Sequence, residues 1–129
     1  MKITQKRISS VTNGMLVRFN SSNLLEPYDG TGTAQGIASN CREVAIQPDP
    51  DQPPTNELVC ELVIDGAADI LIDGAVSSQG ASFGASTTAG YLSVGATPTI
   101  GHVLPQAWSD TSDRVAGLVP ALICMMRQS

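Results

Sequence analysis

Short apolar runs alternate with turn-forming residues along the whole chain, and no segment sustains an i, i+3, i+4 apolar spacing over ten residues. That pattern excludes any major helix and predicts eight to ten short strands. A polar lead-in over residues 1–13 ends at Asn13-Gly14, a dipeptide that tolerates positive φ and so starts a strand from a tight turn. Met15 to Phe19 supplies that strand, and Asn20 to Asn23 turns it back into Leu24 to Tyr28 as a hairpin. After a second turn at Asp29 to Thr33, Ala34 to Ser39 and Glu43 to Gln47 read as two further short strands.

The chain then breaks at residues 48–54, where four prolines in seven residues cannot join a sheet because each lacks a ladder donor. This stretch is expected as an exposed, extended loop. Leu58 to Ile64 is the strongest strand signal, and Ile64-Asp65-Gly66-Ala67 recurs eight residues later as Ile72-Asp73-Gly74-Ala75. The spacing is read as strand, Asp-Gly turn, strand, Asp-Gly turn, a local hairpin echo without a third copy. Residues 77–99 are small and glycine-punctuated, with one strand at Tyr91 to Val94. Ile100 to Trp108 resumes the apolar pattern, and Val115 to Met125 closes the chain as a strand.

Composition supports this reading. Gly, Pro, Ser and Thr make up one third of the 129 residues, and only five are aromatic. One small all-β domain accounts for the length. Residues 1–12 are expected as an N-terminal arm and residues 13–129 as a single β domain. The N-terminus lacks the apolar core of a secretory signal, and the longest apolar stretch, Val115 to Met126, is too short for a membrane helix.

Charge is informative in its placement. Residues 1–42 are net basic, while residues 43–113 hold ten acids and no Lys or Arg. A body without basic side chains cannot build a phosphate-binding footprint, so nucleic acid is not an expected partner. Cys41, Cys60 and Cys124 are odd in number and far apart in sequence, which suits neither a disulfide framework nor a metal site. They are expected as reduced, buried thiols.

Catalytic patterns are thin. Gly80-Ala81-Ser82-Phe83-Gly84 matches a nucleophile elbow, but no acid lies between Ser82 and His102, the only histidine. His102 has no orienting partner that the sequence nominates. Asp65, Asp69 and Asp73 suggest a divalent cation by their spacing, yet turn chemistry explains Asp65 and Asp73. The expectation is a protein with no catalytic site, no metal and no cofactor. The alternatives are a small ligand-binding β-barrel and a small hydrolase using Ser82 and His102.

The layout resembles the capsid decoration, or cement, proteins of tailed phages. The resemblance rests on Asn13 to Phe19, Gln35-Gly36-Ile37-Ala38, Leu58 to Gly66, Gly80 to Phe83, Ile100 to Leu104 and the closing apolar strand, in that order over about residues 13–126. It departs in the proline-rich loop and at Pro105 and Trp108. The resemblance implies a small β-barrel or β-tulip-like domain with long loops and little helix. It further implies a homotrimer, made in the host cytoplasm, that binds the major capsid protein on the outside of the virion and touches no membrane. Under that reading the short basic segments are the contacts for an acidic capsid face. Lys2, Lys6, Arg7 and Arg18 are therefore the expected partner contacts, and Leu104 and Trp108 the expected interface between copies.

Overall fold

A computed structural model describes residues 2–46, 49–74, 81–103 and 117–125. Ten strands account for the regular structure, with no α-helix among the described residues. They are β1 (Lys2–Lys6), β2 (Leu16–Phe19), β3 (Leu25–Pro27), β4 (Gly36–Ile46), β5 (Thr55–Val63), β6 (Asp65–Ile72), β7 (Ser82–Ala85), β8 (Leu92–Val94), β9 (Gly101–Val103) and β10 (Gly117–Cys124). The protein is all-β, as the apolar pattern predicts.

The strands form two bodies. A five-stranded sheet runs β1-β5-β4-β2-β3, and β10-β6-β8-β7-β9 closes into a barrel. The β2–β3 hairpin lies where the sequence places it. Asn20 makes its turn, because its side-chain oxygen accepts the amides of Ser22 (2.8 Å) and Leu24 (3.1 Å). The two strands read at Ala34 to Gln47 are one strand, β4, carrying a bulge between Ser39 and Arg42. The described part of the proline-rich stretch forms the exposed tip of the β4–β5 hairpin.

The Asp-Gly echo is a correction. β5 and β6 do not pair as a hairpin: the chain leaves the sheet at Ile64, and Gly66, at φ +99, already lies within the barrel strand β6. There β6 pairs over eight positions with β10, from Asp65↔Cys124 to Ile72↔Gly117. A long ladder to a distant apolar strand outcompetes the local turn. The lead-in is a second correction. Residues 2–6 are not an arm, since β1 pairs with β5 over five positions, Lys2↔Val63 to Lys6↔Val59.

The sheet has two apolar faces. On one, Leu16, Ile37 and Val63 join Ile70, Ile72, Phe83, Leu92, Ile100, Val103, Ala121 and Ile123 in the barrel core. On the other, Val17, Leu25, Ala38, Cys60 and Leu62 pack beneath Val11, Ile8 and Met15. Leu71 N donates to Gly14 O (2.8 Å) and Leu16 N to Gly90 O (2.9 Å), which joins sheet to barrel through backbone bonds. Among the described residues, apolar side chains from all five barrel strands pack together inside it as a core.

Candidate interaction surface

The basic residues nominated from sequence take three different roles. Lys2, Thr4 and Lys6 lie on β1, an outer strand of the sheet. Arg7 N donates to Leu58 O (3.0 Å), so by alternation the amides of Ile3 and Gln5 also face β5 while that of Thr4 points away from it. Past Lys6 the strand meets β3. Arg7 and Leu25 form a parallel bridge, and Ile8 N donates to Leu25 O (3.0 Å). The sheet therefore curls until its two edges touch at Arg7 and part again toward Lys2.

A notch of about 380 Å³ occupies that parting, lined by Thr4, Gln5, Lys6, Asn23, Glu57 and Val59. Ile3, 38% exposed, lies on the same strand. Lys6, 60% exposed, pairs with Glu57 at 3.2 Å, a contact that water screens strongly. Among its described side chains, β1 thus presents the Lys6 ammonium and the apolar Ile3 to solvent, beside its outward backbone groups.

Arg7 does not reach outward. Its Nε donates to Val59 O (2.9 Å), Nη1 to Val11 O (3.2 Å) and Nη2 to Arg42 O (3.3 Å), so the guanidinium clamps three carbonyls from three segments. Arg18 is also engaged within the chain. Its Nε and Nη2 both lie 2.9 Å from Glu26 Oε1, and Nη1 reaches Thr31 O (2.9 Å) and Thr31 Oγ1 (2.8 Å), with Asp29 at 3.6 Å. The Thr31 hydroxyl and amide, together with the Arg18 guanidinium, hold the Asp29 carboxyl below its ordinary value. These arginines were nominated because a charge map records sign and not pairing.

Leu104 and Trp108 lie outside the described residues. Among the described residues the exposed large apolar side chains are Ile3, Val94 (41%) and Leu122 (48%). Leu122 sits opposite His102 on the barrel's outer face, beside a hollow of about 250 Å³ lined also by Thr99, Ile100, Gly101, Ile123 and Cys124. A signal for it was present in the sequence. The closing run is apolar at every position, so one of its two faces had to carry apolar side chains outward.

Ser82 is no elbow, since it opens strand β7 and does not join a strand to a helix. It lies opposite His102 in the β7–β9 register, and among the described residues no hydrogen bond joins the two or gives His102 an acid. Asp65 and Asp69 stand on the exposed face of β6, whereas Asp73 accepts a short hydrogen bond from the Ser86 hydroxyl, which in turn accepts Thr88 N (3.0 Å). Among the described residues no three His, Cys, Asp or Glu side chains converge on a point that would hold a metal ion. No helix there is long and apolar enough to cross a membrane.

All three cysteines are free, but only Cys60 is fully buried. Cys41 and Cys60, distant in sequence, are neighbours across β4 and β5. Burial pushes the Cys60 thiol up to about 12, helped by the adjacent Cys41, and burial also raises Cys41 against the opposing pull of Arg7.

Comparison with known proteins finds no matching family model, no similar curated protein and no similar solved structure.

Proposed function

We propose that this protein is a structural component of a phage head, a cement protein that binds the outer surface of the capsid shell and stabilises it. The observation that carries the reading is the outer edge of β1. A strand whose outward amide at Thr4 points away from its own sheet, beside a notch, with Ile3 and Lys6 exposed on it, is fit to register against an extended segment of another chain. Its partner in this reading is the major capsid protein. Lys6 supplies salt-screened steering, and backbone pairing and apolar contact supply the hold.

Contact between copies, in a trimer, falls to exposed apolar side chains of the barrel, with Leu122 the foremost among those described. Arg7 and Arg18 are structural in this account, since their donors are already engaged within the chain.

Proline scanning of β1 tests the reading. Thr4→Pro removes an outward amide and leaves the β5 ladder bonds in place, whereas Gln5→Pro removes an inward ladder amide. The Thr4→Pro protein should retain its circular dichroism and urea midpoint but co-sediment poorly with shells assembled from the major capsid protein of the same genome. Full decoration by folded Thr4→Pro would remove β1 as the attachment edge.

A further inference from the structure

The β4–β5 ladder runs in register at Ser39↔Glu61 and resumes at Arg42↔Val59, so Asn40 and Cys41 together stand opposite one residue, Cys60. This is a β-bulge with the extra residue in the left-handed region. Asn40 adopts φ +51, which asparagine tolerates better than most side chains. The bulge is fixed in place, because Cys41 N donates to Asn13 Oδ1 at 2.8 Å. Arg7 braces both flanks through its bonds to Val59 O and Arg42 O, the residues next to Cys60 and Cys41.

The effect is to set the two cysteines side by side across β4 and β5, with Cys41 packed against the apolar cluster that buries Cys60. Cys60 is fully buried. Cys41 is half-buried and open to solvent on one side. Cys124 belongs to β10 and lies opposite Asp65, away from this pair.

We propose that Cys41 and Cys60 form an oxidation site, a dithiol that closes to an intramolecular disulfide when the folded protein meets a small-molecule disulfide such as oxidised glutathione. Cys41, the accessible thiol, gives its proton to solvent and attacks the external disulfide. One reduced small thiol leaves, and a mixed disulfide remains on Cys41. The Cys60 thiol then loses its proton and displaces the second small thiol, which departs reduced. Two protein thiols are oxidised, one external disulfide is reduced to two thiols, and no other reactant is needed.

Burial keeps the thiolates scarce, so closure is slow and serves as a single locking event in place of a rapid switch. The bridge would tie β4 to β5 across the hairpin whose tip is the proline-rich loop. Because the bulge already sets the two residues side by side, the constraint falls mainly on the unfolded chain, and the oxidised protein is the more stable form. The biological setting rests on the shell-protein reading, in which a chain folded in a reducing cytosol is later released into oxidising surroundings.

The test is made on the full chain, separately from any shell. Purified protein is incubated with oxidised glutathione under native conditions, residual thiols are alkylated, and peptides are mapped without reductant. The expected result is a Cys41–Cys60 cross-link with Cys124 alkylated, and a melting temperature higher by on the order of 5–10 °C than in reductant. Cys124→Ser should behave identically, and Cys41→Ser should form no bridge and show no shift. Three alkylated cysteines, a mixed disulfide persisting on Cys41, a bridge through Cys124 or a lower melting temperature would each overturn the proposal. Shell attachment is read by co-sedimentation in reductant, so loss of either idea is visible without the other.

Discussion

Replacing Arg7 by Met separates a structural clamp from a partner contact. In the folded protein the guanidinium satisfies the carbonyls of Val59, Val11 and Arg42 at 2.9, 3.2 and 3.3 Å, with a longer approach of 3.5 Å to Ile8 O. A hydrogen bond to a charged donor is worth roughly 1.5–3 kcal/mol where water is excluded. Arg7 is only half-buried, so water can reach some of the carbonyls after truncation, and about 1 kcal/mol per bond is the better figure. The three together give about 3 kcal/mol, which in a chain of this size lowers the melting temperature by roughly 10 °C. Arg7→Lys should recover only part of the loss, because a single ammonium cannot span three divergent carbonyls. Urea unfolding followed by circular dichroism measures both variants, with an unchanged slope as the check that only stability has moved. A variant within about 0.5 kcal/mol of the parent would refute the clamp. Normal stability combined with lost shell binding would return Arg7 to the contact role that its charge first suggests.

Three further outcomes follow from the same structure. Phe83, fully buried at the centre of the barrel, should cost about 3–5 kcal/mol when cut to Ala, measured by urea midpoint. Gly101→Ala should also destabilise, because the added carbon would fall against the Phe83 ring and the Leu122 carbonyl, and Phe83→Leu should relieve part of that strain in the double variant. Asp29 has a depressed folded pKa, so its contribution is present above its ordinary value near 3.8 and is lost as pH falls through the folded value. The stability gap between parent and Asp29→Asn should therefore be open at pH 7 and close in the acid limb of a pH series.

The strand count, the β2–β3 hairpin and the all-β class were legible because local turn chemistry decides them. Asn20 accepts two amides of its own turn and Asn23 takes φ +62, both features confined to residues 20–24. What the sequence hid was pairing over distance. β1 reads as a polar lead-in because an edge strand with solvent on one face need not look apolar, yet its partner β5 lies more than fifty residues away. Asp65-Gly66 carries the signature of a hairpin turn, but whether such a dipeptide turns or kinks depends on which strand captures the next segment, and here β10 does. The same limit affected the candidate site. The charge map singles out a basic N-terminus, but it does not register that Arg18 pairs with Glu26 or that Arg7 points inward. The pairing of Cys41 with Cys60 is set by a bulge, which leaves almost no trace in residue order.

The account stands on attachment to a shell, and one binding measurement decides it. Purified protein is mixed with shells of the major capsid protein from the same genome, in reductant and at low and high salt, and pelleted alongside folded Thr4→Pro. The account predicts saturable co-sedimentation of the parent that weakens only partly with salt, and little binding of Thr4→Pro at either salt concentration. A parent protein that stays in the supernatant under all these conditions would contradict it.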